Sequence, residues 1–233
     1  MVPVASVSSP VPPAPRYRVA EDRILDAASL VFASRGFASA NMAGIAARAG
    51  TSKPTLYARF GSKEALYAAA VTREYDLLRT RLFAAYAERD PAPFRARLRG
   101  WTRAYFDFAR DRPDGFKLIF EGERSPVAAA VVKRTREDII DRIAALIIDV
   151  SGRRTGDSAR MVGAMISGLV SRCAQDAIQR DADLEDAARL CESFMYPALR
   201  ALDLDLMAEV DRGAARGPSA DGARGPTGDR PRR

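Results

Sequence analysis

Residues 41–63 read NMAGIAARAGTSKPTLYARFGSK, and their pattern predicts two short helices joined by a turn. Apolar side chains at positions 42, 45, 46 and 49 share one helical face, and Asn41 in front of them suits an N-cap. Gly50 is expected to end this helix. A second helix is predicted to follow, with caps available at positions 51 and 52 and with Pro54 in its first turn, where a missing N–H costs nothing. The stretch is therefore a candidate helix-turn-helix.

The second helix of this pair has only about two turns and is too short to be stable alone. Leu56 and Phe60 are predicted to dock it onto the rest of the chain, which leaves its polar residues exposed. These outward-facing residues are Lys53, Thr55, Tyr57 and Arg59. Their shared exposure favours a helix that is offered to a partner; a polar face that is merely solvated is the alternative.

Helical periodicity continues on both sides of this pair. Apolar residues from Ile24 to Phe32 predict a helix that stops at Gly36, so three helices occupy about forty residues, the minimum for a helix-turn-helix module. Ser62 is expected to cap a long fourth helix, and five more helices are predicted up to about residue 202, with an extension to about 210. Because no alternating strand pattern occurs, the predicted fold class is all-α with about nine helices.

Charge is distributed unevenly along the chain, whose net charge is +7. Residues 1–65 carry eight Arg and Lys against four acidic residues, and the tail from Arg212 onward carries six Arg against two Asp. The excess at the N-terminal end fits the binding of a polyanion. A charge of this size also serves solubility alone, so the charge by itself leaves both interpretations open.

The composition excludes several kinds of catalytic site. The chain has no histidine, which removes the common zinc sites and the Ser–His and Cys–His nucleophile pairs. Gly156-Asp157-Ser158 resembles the start of a hydrolase motif, but that chemistry needs a histidine, and no phosphate-binding glycine loop occurs. We therefore predict no enzymatic activity, no cofactor and no metal. Cys173 and Cys191 are expected to be reduced core residues.

The ends of the chain and its apolar runs bear on its location. Residues 1–15 lack the charged start and apolar core of a secretory signal, and they are predicted to be a disordered arm. The longest uncharged run of interest, residues 161–171, is far short of a membrane-spanning length. We expect a cytoplasmic protein with no membrane partner.

The N-terminal region contains a series of short motifs: ILDAA at 24–28, FASRGF at 32–37, IA at 45–46 with AG at 49–50, TLYARF at 55–60 and SKEAL at 62–66. They occur in order and without gaps over residues 20–67. In these motifs the sequence resembles the TetR family of transcriptional repressors. The resemblance implies a helix-turn-helix DNA-binding domain at 16–65 and a helical effector-binding and dimerisation domain at 66–210. The tail at 211–233 is predicted to be disordered because it is poor in large apolar residues.

The resemblance also implies which residues contact DNA. The helix from Ser52 to Tyr57 would enter the major groove, where Lys53 and Thr55 are our choices for base edges. Tyr57, Arg59 and Lys63 would hold phosphates, and an N-terminal arm would reach the backbone or the minor groove. The complete predicted set is Arg16, Arg18, Asn41, Ser52, Lys53, Pro54, Thr55, Tyr57, Arg59 and Lys63. Ala43 and Gly44 stand where many relatives carry Arg or Lys, so base reading is expected to rest on the second helix.

The remaining helices are assigned by the same resemblance to an effector pocket and a dimer interface. The predicted ligand-binding residues are Trp101, Tyr105, Phe108, Phe116, Phe120, Met161 and Met165. The predicted interface residues are Gly163, Ser167, Gly168, Ser171, Leu190, Phe194, Tyr196 and Leu199. An aromatic stripe is also typical of a plain core, and small residues also suit close packing within one chain, so both alternatives stay open.

The predicted function is a ligand-responsive transcriptional regulator, a repressor by family resemblance. It would bind a palindromic double-stranded DNA operator as a homodimer and be released by a small hydrophobic effector. The alternative is a constitutive DNA-binding or protein-partner module without an effector.

Overall fold

The computed structural model describes residues 15–87, 92–151 and 156–215, and within these ranges it contains helices and turns but no strand. The helices are α1 (Pro15–Ser39), α2 (Met42–Ala49), α3 (Lys53–Phe60), α4 (Lys63–Ala87), α5 (Phe94–Asp111), α6 (Pro113–Glu123), α7 (Ala129–Ser151), α8 (Asp157–Gln179), α9 (Leu184–Arg200) and α10 (Leu204–Ala215). The predicted all-α fold class is confirmed. The predicted disordered arm falls on residues 1–14, which lie outside the described ranges, and on Pro15, which begins α1.

The C-terminal end of the described chain differs in detail from the predicted pattern. A separate helix, α10, takes the place of an extension of α9, and it is capped by Asp203, whose Oδ1 accepts the backbone N–H of Leu206 at 2.9 Å. Residues 211–215 belong to α10, although the sequence placed them in the tail. The side chain of Asp211 helps to hold α10, because it accepts hydrogen bonds from the backbone N–H and the hydroxyl of Ser158 at 2.8 and 3.0 Å.

The predicted signals for α2 and α3 operate locally, as expected. Asn41 Oδ1 accepts the N–H of Gly44 at 2.7 Å, and Ser52 Oγ accepts the N–H of Thr55 at 3.2 Å, so each helix begins at its predicted cap. Gly50 ends α2 in the left-handed region, at φ 65°, where a residue with a Cβ is strained.

Packing divides the chain into two compact units, Met1–Glu137 and Asp138–Arg233. The boundary between these units falls within α7 and reflects packing contacts. The predicted functional domain limits at 65/66 and 210/211 therefore stay predictions from the sequence. In the first unit, α4 packs against α1, α5 and α6, so the helix-turn-helix shares its core with the helices that follow it.

Aromatic side chains fill the core of the first unit beneath α1 and α4. The ring of Tyr67 packs edge-on against those of Phe32 and Phe37, with both pairs of ring centroids 5.0 Å apart. Phe32, Leu66 and Tyr67 are almost fully buried. Since burying a large apolar side chain stabilises a fold by about 1.5–3 kcal/mol, these residues hold the N-terminal helices on α4.

In the second unit, α8 packs against α9 and α10. Both cysteines are free thiols; Cys191 is a buried core residue, as predicted, whereas Cys173 is only half-buried, so its assignment to the core is wrong. No helix within the described ranges is long and apolar enough to cross a membrane.

Candidate nucleic-acid interface

Helix α3 is anchored on its inner side by one fully buried residue, Leu56. Its polar residues consequently point away from the core: Lys53 and Thr55 are exposed, and Tyr57 is 42% exposed. Phe60 is half-buried at the other end of the helix. The phase predicted from the sequence is therefore the phase that the structure has for these residues.

The exposed side chains of α3 interact with one another. The hydroxyls of Ser52 and Thr55 lie 2.7 Å apart, and the ammonium of Lys53 lies 5.8 Å from the ring centroid of Tyr57. Such contacts restrict the rotamers of these side chains before any partner arrives. Together the four residues offer hydroxyls, an ammonium and a phenol, which are donors for base edges and phosphates.

Two of the predicted phosphate ligands are engaged within the chain. The guanidinium of Arg59 pairs with the carboxylate of Glu21 in α1 at 2.6 Å. The ammonium of Lys63 donates to the carbonyl oxygen of Ala38 at 3.1 Å and lies 4.7 Å from the ring centroid of Phe37. These contacts fix α3 and the start of α4 to the preceding segment. The ammonium of Lys63 has three donor hydrogens, of which the hydrogen bond to Ala38 uses one.

The remaining predicted DNA residues lie near the starts of helices. Pro54 is exposed in the first turn of α3. The oxygen of Asn41 is occupied by its cap, and Ala43 beside it is exposed. Arg16 and Arg18 belong to the first turns of α1, and their side chains lie outside the part of the chain that the structure describes.

Sequence reasoning missed the residues of α1 that hold the helix-turn-helix together. Glu21 pairs with Arg59 of α3, and Arg23 Nη2 donates to the carbonyl oxygen of Ala49, at the end of α2, at 3.3 Å. Sequence reasoning also missed Glu74 of α4, which is fully buried although it is an acid. Its position was a usable signal, because it falls between Val71 and Leu78 at the spacing of the core-facing positions.

The aromatic residues predicted for an effector pocket are brought together in the first unit. Trp101, Tyr105, Phe108 and Phe116 are buried, and Phe120 is half-buried. The rings of Tyr105 and Phe116 have centroids 5.8 Å apart, and those of Phe116 and Phe120 are 4.8 Å apart. These five side chains form one closely packed cluster. An effector pocket and a plain core are both compatible with this cluster.

Neither the two methionines predicted to bind an effector nor a cleft in the first unit belongs to the aromatic cluster. Met161 and Met165, in the second unit, are 54% and 69% exposed. In the first unit, a cleft of about 530 Å³ opens between α1 and α4, with Leu25 and Leu77 among its lining residues. None of the predicted effector residues lines this cleft.

The residues predicted for a dimer interface fall into three groups. Leu190 and Phe194 of α9 are 69% and 63% exposed, and Gly168 of α8 faces open space. Gly163 is buried, and a Cβ at this position would lie 2.9 Å from the carbonyl oxygen of Ile140, so it serves close packing within the chain. Four residues are half-buried: Ser167, Ser171, Tyr196 and Leu199.

Two known family models match the chain, one in its N-terminal part and one in the helices that follow. Residues 24–70 match the family model described as bacterial regulatory proteins, tetR family. Residues 98–194 match the model described as tetracyclin repressor-like, C-terminal domain. The first match contains α2 and α3, and the second contains the aromatic cluster.

Individual relatives agree with these family matches. The chain is 40% identical over 151 residues to the HTH-type transcriptional activator FasR of Mycolicibacterium smegmatis; the match covers 64% of this chain and 66% of FasR, just under two thirds of its length. A TetR-like transcriptional regulator from Rhodococcus sp. RHA1 superposes with a TM-score of 0.66 and 26% identity, covering 83% of this chain and all of that one. The fatty acid degradation regulator FadR of Bacillus halodurans shares the fold, with a TM-score of 0.66 and 18% identity over 78% of this chain and 99% of that one.

Proposed function

The chain belongs to the TetR family of bacterial regulatory proteins, and we propose that it is a dimeric transcriptional regulator that binds a palindromic operator and responds to a small hydrophobic effector. The family consists of DNA-binding regulators rather than enzymes, and we propose no reaction for this chain. Because such a regulator works where the DNA is, the proposed location is the cytoplasm.

The observation that carries the proposal is the exposed polar face of α3. Leu56 fixes the helix on the core, while Lys53, Thr55 and Tyr57 remain available to a partner. An ammonium donates to the O6 or N7 of guanine, and a hydroxyl serves as donor or acceptor. In the proposed complex Lys53 and Thr55 contact base edges in the major groove, and Tyr57 contacts a phosphate.

Dimerisation is proposed through α8 and α9, with the exposed apolar side chains of α9 at its centre. A surface that holds Leu190 and Phe194 more than half exposed is costly in water and favours association. Two copies of α3 related by a two-fold axis then read two half-sites, which must be separated by about one DNA turn, roughly 34–36 Å. The operator is therefore proposed to be a palindrome.

The effector is proposed to act on the aromatic cluster of α5 and α6. An effector that binds one arrangement of the dimer more tightly shifts the population toward that arrangement and changes DNA affinity. Our proposal for this chain is a repressor, in which the dimer bound to the operator lowers transcription and the effector releases it from DNA. FasR of M. smegmatis is named an activator, so activation is the alternative sign, and constitutive binding without an effector is the alternative mode.

Selection of bound duplexes from random double-stranded DNA tests the proposal. The wild-type chain is expected to enrich a palindrome, and Lys53→Ala is expected to relax the preference at particular bases by about 1–3 kcal/mol. The matched control is Lys117→Ala, which removes the same charge from an exposed position on α6 and should leave the enriched sequence unchanged. Enrichment of no sequence by the wild-type chain would contradict the proposal.

Effector response and the sign of regulation need two further measurements. Thermal shift with fatty acyl thioesters and aromatic drugs should reveal a stabilising ligand, since a ligand at a hundred times its Kd stabilises the folded state by about 2.7 kcal/mol. Unacylated thiols serve as the control. A reporter that carries the selected operator should lose transcription when the chain is present; a gain would indicate an activator, and absence of any stabilising ligand would favour the constitutive alternative.

A further inference from the structure

We propose that Arg112, acting through the buried carboxylate of Glu74, is a positioning residue for DNA recognition. The pair joins the α5–α6 junction to α4, and hydrogen bonds to Ser29 and Asp26 extend it to α1, which in turn holds α2 and α3. The proposal rests on the proposed DNA-binding function and adds to it the residues that set the orientation of the recognition helix.

Glu74 lies at the centre of this cluster. Its side chain is fully buried, and both of its carboxylate oxygens are hydrogen-bonded. Arg112 donates from Nε to Oε2 and from Nη2 to Oε1, each at 2.8 Å, so the guanidinium and the carboxylate meet at two points. The hydroxyl of Ser29 in α1 donates to Oε1 at 2.9 Å. A two-point contact fixes direction as well as distance, which a single ion pair does not.

A second acid of α1 extends the cluster toward the surface. The Oδ1 atom of Asp26 accepts from Arg112 Nη2 at 3.0 Å and from Arg73 Nη1 at 2.9 Å. The hydrogen bond to Glu74 is the main reason that the pKa of Arg112 is raised above its usual value. Arg112 therefore contacts α4 and α1 at once, and its guanidinium is charged.

The position of Arg112 in the backbone links its side chain to the start of α6. Arg112 is the residue between the end of α5 and the start of α6, with φ −134° and ψ 62°. In the first turn of α6, a Cβ at Gly115 would collide with the Glu74 carboxylate, so the helix approaches the acid as closely as its backbone allows. A displacement of the start of α6 consequently moves or breaks the contact with Glu74.

On its other side, α1 contacts both helices of the DNA-reading pair. Glu21 pairs with Arg59 of α3 at 2.6 Å, and Arg23 Nη2 donates to Ala49 O at the end of α2 at 3.3 Å. Ser29 and Glu21 are two turns apart on the same helix, and the bend of α1 at Gly36 comes after both. The polar path thus runs from Arg112 through Glu74 and α1 to α3, within one compact unit.

The path begins beside the aromatic cluster. Tyr105 precedes the junction and Phe116 follows it, and their rings are in edge-to-face contact. Any rearrangement of these rings acts on the backbone that carries Arg112. Loss of the two-point contact between Arg112 and Glu74 should leave α3 folded and exposed but less firmly oriented. Affinity for a specific DNA sequence should then fall more than non-specific affinity, because non-specific binding depends on charge rather than on orientation.

The experiment compares Arg112→Gln and Glu74→Gln with wild type in full-length protein. Affinity is measured for the selected operator and for a scrambled duplex of equal length, at a temperature where circular dichroism shows every variant folded. Each substitution is expected to lower operator affinity by a factor of about 5 to 150, the usual range of coupling between sites, with scrambled-duplex affinity changed by less than about twofold. The double variant should lose no more than either single one.

Arg110→Gln is the matched control, because Arg110 lies two residues away on the exposed surface of α5 and pairs only with acids of that surface, Asp107 and Asp111, among the ion pairs described. It should leave operator affinity unchanged. If Arg112→Gln lowers the melting temperature but keeps operator affinity, the role is structural and the proposal is overturned. If wild type itself does not distinguish operator from scrambled duplex, the proposed function fails instead.

A milder pair of variants decides the matter if Arg112→Gln and Glu74→Gln do not fold. Ser29→Ala removes one hydrogen bond from Glu74, and Ser34→Ala removes the hydroxyl that donates to Val31 O on the same helix. Operator affinity should fall for Ser29→Ala and not for Ser34→Ala. Equal affinity of the two variants would overturn the proposal.

Discussion

Helix α3 and helix α9 each have an exposed face, but the side chains on the two faces differ in polarity. On α3 the exposed residues are Lys53, Thr55 and Tyr57, which carry donors. On α9 they include Leu190 and Phe194, which carry none. The side-chain chemistry is the basis for proposing a polyanion as the partner of the first surface and another apolar surface as the partner of the second.

The two surfaces should therefore respond in opposite ways to ionic strength. With about three to five phosphate contacts per subunit, operator affinity should fall by about 10³–10⁵ between 50 and 200 mM salt, because bound cations are released from DNA. Association through apolar side chains should stay constant or strengthen over the same range. Fluorescence anisotropy with labelled operator, and sedimentation of the protein alone, measure the two effects in one set of buffers.

Lys63→Ala sharpens this salt comparison. Its ammonium is held beside Ala38 and Phe37 at the start of α4, and the loss of one phosphate contact should reduce the log–log salt slope by about 0.9 per subunit. Lys117→Ala should leave the slope intact. A flat salt response of the wild-type chain would remove the distinction between the two surfaces.

Leu190→Asp is expected to act on the apolar surface alone. Placing a carboxylate in an apolar contact, together with the loss of a leucine worth about 1.5–3 kcal/mol when buried, should weaken dimerisation by about a hundredfold. Sedimentation velocity measures the effect. The control is Leu206→Asp, the same change at a leucine of α10 that is 56% exposed and outside the predicted interface. Equal dissociation by both variants would show that exposure, and not position, decides the result.

A smaller effect is expected beneath the apolar surface, where Cys191 faces inward. Burial raises the pKa of its thiol to about 12, above the usual value of about 8.5. Between these values the unfolded chain loses a proton that the folded chain keeps, so stability is full below about pH 8.5 and declines as the pH rises. The melting temperature of the wild-type chain should drop slightly more between pH 8 and pH 10 than that of Cys191→Ala. An identical decline in both proteins would argue against a buried thiol.

The local features of the interface could be predicted from the sequence, because they depend on neighbouring residues. Asn41, Gly50 and Ser52 act on atoms within a few positions of themselves, and a single turn of chain is enough to identify them. The phase of Lys53 and Tyr57 follows from the same short-range pattern.

The contacts that orient the helices could not be predicted, because they join residues far apart in sequence. Arg112 and Glu74 are 38 positions apart, as are Arg59 and Glu21, and no periodicity indicates which cation meets which acid. Small-residue spacing has the same weakness: Gly163 fits the backbone of α7, although its spacing suits a second copy equally well. Pattern identifies the surfaces of a helix but not the partner of each surface.

The buried acid of α4 limits how chains of this type can be recombined. A chimera that joins residues 1–65 of this protein to the remainder of a relative keeps Ser29 and Asp26 on one side of the junction and takes the residues at positions 74, 112 and 115 from the other parent. Under the coupling proposed above, a chimera whose second parent lacks Glu, Arg and Gly at these positions would bind its ligand and its operator independently of each other. A crossover placed after Glu123 transfers the whole set together.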